Sequence, residues 1–394
     1  MITLARDVVT VGDFIMSVAK LMFFSAFVFA MSMANTSLAG VNQTKPPADL
    51  KYGPEWTFTV KKTGDLTEEE LDLVLEKLPV LKKIFINHCR QTRLCTVTDL
   101  TFTDDIEVVF KNGMIIRIEN DPGVIEIQAE PMSLKQIKKY SNFIQQNIFD
   151  VLSKAKLYPH EREGAGHINI DLNYFSDKPL LLYNFIIDFF NHPGLGIVLN
   201  SMTANKTDAP YFDQIESQLK SENDEPSADS RFTNYLAFKK ILTQFTKQIQ
   251  KNSRNLSTEE VLEMFNTLLH EKYIALGIRG LNSFNSIYGP LLPTSRLEVR
   301  VLRPQATAFD YQLVLEIFES RIQYLSQLTT PLVLKPIKPI HDGYIALGQY
   351  ADYLEESGLN LERYKSLLPQ AWRDLDSKNY IRRYIKGGSC NKLF

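Results

Sequence analysis

A chain of 394 residues, 44% of them hydrophobic and 23% charged, can bury a substantial core, which excludes a disordered or collagen-like polymer. Its 44 Lys and Arg against 46 Asp and Glu give a formal charge of −2, so no broad positive field draws in nucleic acid or an anionic membrane, and an anionic ligand must be held locally. Three cysteines cannot build a disulfide framework, and none has the spacing of a zinc knuckle or a redox CxxC pair.

Lys20 precedes an uncharged apolar run over residues 21–33, which ends among small residues of the kind a signal peptidase cuts (Ser32-Met33-Ala34 and Ser37-Leu38-Ala39). The pattern predicts a secretory signal peptide over residues 1–39, with synthesis beginning at Met1 or, given the mixed charge of the first fifteen residues, at Met16. The run falls short of the roughly 20 residues that span a bilayer, and no second hydrophobic span follows, so no stable membrane span is expected after cleavage. An uncleaved anchor and a buried N-terminal helix are the alternatives. The expected location is the periplasm or the exterior, with action inside a host cell a further option; a misread leader would leave the chain in the cytoplasm. In an oxidising compartment Cys89 and Cys95 are near enough in sequence to close a small loop, with Cys390 left over; three reduced, partly buried thiols are the alternative.

Residues 40–53 are polar and rich in Pro and Gly without a period, and read as a linker. Residues 55–61 alternate as a half-buried strand requires. Thr67-Glu68-Glu69-Glu70 forms a capping box that opens a helix, which Pro79 kinks or ends before residues 80–87 continue. Residues 108–110 and 114–118 flank Lys111-Asn112-Gly113, where Asn-Gly supplies the positive φ angles of a hairpin turn. A strand at 124–130 ends at Pro131, and a helical period runs from 134 to 157. Residues 166–172 alternate strictly. An apolar helix at 180–191 is stopped by His192-Pro193-Gly194. A polar surface insertion is expected at 203–229, then helices at 234–251 and 257–271, strands at 273–279 and 296–301, and a helix at 308–328. The tail from His341 is helical and Tyr-rich, and its Arg382, Arg383 and Lys386 are too few for a nucleic-acid patch. The organisation expected is one domain over 54–335 and a helical extension, 336–394, packed on it.

Splitting each strand by parity separates two kinds of residue. One set is apolar: Trp56, Phe58, Val60; Ile125, Ile127; Ile168, Ile170, Leu172; Ile274, Leu276, Ile278; Leu297, Val299, Val301. This is the face for the long helices to cover. The opposite set holds Glu55, Thr57, Thr59; Glu126, Gln128, Glu130; His167, Asn169, Asp171; Tyr273, Ala275, Gly277, Arg279; Arg296, Glu298, Arg300. An antiparallel sheet often leaves one face in water, and on that account these are solvated charges, His167 is a structural histidine and Glu298 is one rung of a surface ion-pair ladder. The recurrence of carboxylates, an imidazole, an amide and guanidinium groups on every candidate strand favours a site instead. Glu55, Glu126 and Glu298 with His167 supply hard oxygen ligands and one nitrogen, a set suited to Mg²⁺ or Mn²⁺, and Arg300 beside Glu298 can hold a phosphate. Walker, HExxH and GxSxG motifs are absent.

Four short motifs in order resemble those of carboxylate-amine ligases: Tyr52-Gly53-Pro54-Glu55-Trp56-Thr57; Val124-Ile125-Glu126-Ile127 running into Pro131; Gly164-Ala165-Gly166-His167-Ile168-Asn169; and Arg296-Leu297-Glu298-Val299-Arg300. That group includes amidoligases and glutamate-cysteine ligases, which share the glutamine-synthetase-like fold. The resemblance implies an α+β fold with a curved, mostly antiparallel sheet, helices on its convex face, and a concave polar face holding ATP and Mg²⁺ or Mn²⁺. It implies that a carboxylate is phosphorylated by ATP and that an amine then displaces phosphate from the acyl phosphate, the substrates being small-molecule or peptide carboxylates and amines. By position, Glu55, Glu126, His167 and Glu298 would be metal ligands, Glu298 and Arg300 catalytic, and Asn169, Arg296 and Arg300 nucleotide contacts. Asn169 also matches the His-x-Asn form of the glutamate-cysteine ligases.

Thr57 stands where the resemblance implies a second glutamate. Its presence predicts fewer metals, recruitment of another carboxylate such as Glu130, or lost catalysis. Export also sits uneasily with ATP, so the leader is misread, the protein acts inside a host cell, or the site does metal chemistry without nucleotide. The expectation is an ATP- and Mg²⁺-dependent ligase; the alternatives are a secreted, non-catalytic ligand-binding protein on a degenerate ligase fold and a metal-dependent amide hydrolase.

Overall fold

The computed structural model describes residues 49–64, 66–100, 105–121, 123–160, 164, 166–199, 247, 249, 256–269, 276–279, 295–335 and 343–368. The expected leader, the insertion at 203–229, nearly all of the expected helix at 234–251, Tyr273 to Ala275, and the end of the tail with Cys390 lie outside these residues.

Eight strands form one antiparallel sheet: β1 (Tyr52–Phe58), β2 (Cys95–Asp99), β3 (Ile106–Phe110), β4 (Ile115–Asp121), β5 (Val124–Ala129), β6 (His167–Asp171), β7 (Leu276–Arg279) and β8 (Arg296–Val299). Their spatial order is β2-β3-β4-β5-β1-β6-β8-β7, so β1, first in the chain, is central. With its helices the fold is α+β. The apolar parity set packs as expected: Trp56, Phe58, Ile125, Ile127, Ile168, Ile170, Leu276, Leu297 and Val299 are all buried. Helix α3 (Leu134–Ile144), a π turn (Gln145–Phe149) and α4 (Asp150–Lys154) run on continuously, and α8 (Ala308–Leu325) lies beside them. Trp56 joins the layers, meeting Phe149 and Tyr311 edge-on at centroid distances of 5.5 and 5.3 Å.

Several local expectations are refined. Strand β1 begins at Tyr52, inside the stretch read as linker, because the Tyr52 backbone exchanges two hydrogen bonds with Met132 and its ring is fully buried. In the hairpin only Gly113, at φ 85°, is left-handed; Asn112 instead caps the turn by accepting from the Met114 N–H. The capping box forms on α1 (Glu68–Leu75), and the break falls at Glu76, placing Pro79 in the first turn of α2 (Lys77–Thr92), where it is tolerated. Beyond α5 (Pro179–Asn191) the chain turns at His192 and resumes as α6 (Pro193–Leu199). Strand β2, too polar to show a period, is tied to the end of α2 by a Cys89–Cys95 disulfide. Helix α7 (Thr258–Leu269) opens on reciprocal Ser257–Glu260 hydrogen bonds, and α9 (Gly343–Glu356) docks on α6 through Gln349, which accepts from the Gly194 N–H. Among the described residues no helix is long and apolar enough to cross a membrane.

One buried ion pair fastens three helices. Arg321 on α8 donates to both oxygens of Asp188 on α5 and to Glu356 on α9, with the rings of Tyr324 and Tyr353 within 4.7 and 4.3 Å of its guanidinium carbon. Burial alone would raise the Asp188 carboxyl, but hydrogen bonds from Arg321 and His192 outweigh it and hold the pKa below the ordinary value. The stabilisation is therefore complete above the unfolded aspartate value of about 4 and is lost as pH falls through the lower folded value. Arg321→Met should lower stability at neutral pH by about 3–5 kcal/mol, measured by urea denaturation, because it strands a buried carboxylate. An unchanged midpoint would contradict this account.

Candidate cation and anion site

The other face of the sheet is where the polar parity set collects. Cross-strand registers set Glu55 opposite His167, Asn169 opposite Glu298, Glu298 opposite Gly277, and Thr57 opposite Glu126. These groups are not in water. Glu55 and His167 are 7% exposed, Glu298 is 4% and Glu126 is 8%, so these four are not solvated surface charges.

Glu55, His167 and Glu298 converge: one ligand atom from each lies within 4.8 Å of the others. His167 Nδ1 stands 3.0 Å from Glu55 Oε2 and 3.9 Å from Glu298 Oε1. Nδ1 thus faces both carboxylates, and the other ring nitrogen, Nε2, is buried with no hydrogen-bond partner. The other Glu55 oxygen accepts from Asn169 Nδ2 at 2.7 Å, and Asn169 Oδ1 accepts from Arg296 Nε at 2.9 Å. Burial raises the Glu55 pKa, but the His167 and Asn169 hydrogen bonds and the Arg296 charge overcome it and keep the carboxyl below its ordinary value.

Glu298 lies between two guanidinium groups. Arg279 Nε donates to its Oε2 at 2.8 Å and Arg300 NH1 pairs with its Oε1 at 3.0 Å. A carboxylate has about four lone-pair sites, so two remain on Glu298 and two on Glu55. Arg300 carries a second orphan, an Nε–H buried without an acceptor. The site therefore sets one ring nitrogen between two carboxylates, where a cation can take the place of the shared proton, and leaves His167 Nε2 and the Arg300 Nε–H as buried groups open to a ligand.

Glu126 shares the face but not this group. It accepts from Gln128 Nε2, which also binds Glu119, and burial, with the nearby Glu55 charge, pushes its pKa up to about 8. Thr57 is 3% exposed and lies under Gly164, where a Cβ would come 2.3 Å from its hydroxyl oxygen. The position that the resemblance reserves for a second glutamate is thus closed by the loop leading into β6. Arg279, on the polar parity of β7 but not singled out from sequence, closes the site at the sheet edge. Its signal was present: Gly277, two residues earlier, leaves the space into which its guanidinium folds.

No family model matches this sequence, and no curated protein does. The chain is similar to a solved structure described as a novel glutamine synthase homolog, at TM-score 0.38 and 12% identity, over 85% of this chain and 70% of the other.

Gly164 combines a φ of +78° with contact against Thr57. Gly164→Ala should cost about 1–3 kcal/mol in thermal unfolding, from left-handed strain and the clash together. An unaltered Tm would show that the loop does not seal the Thr57 position.

Proposed function

We propose that the polar face holds one divalent cation, Mg²⁺ or Mn²⁺, on Glu55, His167 and Glu298, and that the protein is an ATP-dependent carboxylate-amine ligase making an amide bond on an amino acid or peptide. The observation that carries this reading is the pair of buried orphans, His167 Nε2 and Arg300 Nε, flanking Glu298. Buried polar atoms without partners are rare, and with a cation on His167 Nδ1 both are N–H donors, which fit the anion that the cation accompanies. A cation bound there would neutralise phosphate oxygens and act as a Lewis acid toward the group transferred.

The chain's own groups supply the remainder. Glu55 and Glu298 face His167 Nδ1, the nitrogen that a cation between them would take. Asn169, itself steered by Arg296, keeps Glu55 in place. Arg300 offers its free N–H to an oxygen that gains charge as the carboxylate is activated, in surroundings of low dielectric where such a bond is worth most. Burial keeps water away from the activated carboxyl group. We further propose that the protein is exported, which the Cys89–Cys95 disulfide supports, and that it meets ATP inside a host cell.

A second reading, a binding protein without catalysis, draws support from the sealed Thr57 position and from the arginine on each oxygen of Glu298. Calorimetric titration separates them. Wild type should bind Mn²⁺, and His167→Ala should weaken it by about tenfold or more. No Mn²⁺ binding, with ligand capture intact in His167→Ala, would favour the non-catalytic protein. Under the ligase reading, wild type should release ADP when given ATP, Mg²⁺ and a carboxylate-amine substrate pair, and Glu298→Gln should lose about a hundredfold or more of that rate. Wild type that binds neither ATP nor Mg²⁺ would overturn the proposal, and amide cleavage without nucleotide would replace it with a hydrolase.

A further inference from the structure

The sheet ends on one side at β2, which pairs with β3 alone. Two contacts at its ends fix which backbone groups that pairing uses. The Lys111 N–H donates to the Leu94 carbonyl at 2.8 Å, and the Leu100 N–H donates to the Asp105 carbonyl at 3.2 Å. Hydrogen-bonded positions alternate along an antiparallel strand, so Thr96 and Thr98 turn their N–H and C=O groups to β3, while Cys95, Val97 and Asp99 turn theirs outward. Among the described residues nothing takes these outward groups. An uncovered edge of this kind is a template for another strand.

The edge is held in place before any partner arrives. Cys95 and Val97 share the helix-covered side with Phe110 and Val108, their opposites on β3, and the disulfide to Cys89 ties the strand to α2. Thr96 and Thr98 are exposed on the other side, in register with Val109 and Glu107.

The strand is also self-complementary. Laid antiparallel against a second copy about a two-fold axis through Val97, it sets Val97 against Val97, Cys95 against Asp99, Thr96 against Thr98 and Leu94 against Leu100. Each outward residue then exchanges two backbone hydrogen bonds with its opposite. Threonines directly opposite one another support strand pairing, and Leu94, a large apolar side chain left 37% exposed, gains Leu100 as a neighbour. Charge fits as well. Arg93 is exposed and makes no ion pair among the described residues, and this register brings it diagonal to Asp99 of the second copy, within reach of a long side chain. Lys82 takes one oxygen of Asp99, at 2.5 Å, which leaves the other for Arg93.

We propose that β2 is the interface of a two-fold dimer in which the sheet of one copy runs on into that of the next. A second copy is the occupant because the same register satisfies the backbone, the threonines, the leucines and the charges at once. The proposal does not depend on the cation site, none of whose residues lies on β2. A strand of five residues offers a small contact, which places the dimer among weak complexes of about micromolar dissociation constant or above.

Sedimentation velocity of the full chain between about 1 and about 500 µM tests it, and should show monomer passing into dimer. Thr96→Lys combined with Thr98→Lys changes exposed positions only, sets lysine against lysine across the axis, and should weaken dimerisation about tenfold or more with an unchanged circular dichroism spectrum. Thr96→Lys combined with Thr98→Glu restores opposite charges and should dimerise at least as well as wild type. Val97→Pro removes an outward N–H but no bond to β3, and should leave a folded monomer. Wild type that stays monomeric at every concentration would overturn the proposal and leave the edge to water or to a strand of another protein. A dimer indifferent to the two lysines would overturn it equally, since its interface would then lie elsewhere.

Discussion

The side-chain alternation of an antiparallel strand is the constraint on which this molecule rests. Once Trp56, Ile127, Ile168 and Leu297 are buried on one face, the facing of every other residue on those strands is settled. A slip of one residue in β1 would carry Glu55 into the hydrocarbon core and expel Trp56 from its contacts with Phe149 and Tyr311. The apolar layer therefore holds the polar site in register from the opposite face of the sheet.

Burial of the polar face is harder to account for by stability. Glu55, Glu126 and Glu298 all leave water, and buried ionic groups often contribute less than well-packed apolar residues of the same size. The network is also incomplete, with atoms of His167 and Arg300 left unpaired, whereas the buried Asp188–Arg321 pair has its hydrogen bonds made. The contrast separates a structural ion pair, which fastens helices, from a group of charges arranged for something that enters from outside. The loop from Gly164 to His167 is the meeting point: Gly164 covers Thr57, Gly166 anchors Gln305, and His167 reaches the carboxylates.

Parity was legible in the sequence because it is a local property, so the division into apolar and polar faces emerged strand by strand. The offset between strands was not legible, since it depends on turns and packing far apart in the chain. That is why Glu126 could be assigned to the face but not excluded from the group formed by Glu55, His167 and Glu298. Strand β2 escaped because Thr96, Thr98 and Asp99 interrupt any apolar period and a disulfide with its pairing to β3 holds it. Tyr52 and Gly53 read as linker because Gly and Pro usually punctuate turns, whereas here the strand tolerates Gly53 and Pro54 between two partners.

The central claim is that Glu55, His167 and Glu298 form one cation site. Crystals grown with Mn²⁺ and measured at an energy where manganese scatters anomalously test it most directly. The account expects a single peak bonded to His167 Nδ1 and to oxygens of Glu55 and Glu298, at about 2.0–2.3 Å. A map without a peak there, with His167 Nδ1 still donating to Glu55, would contradict it.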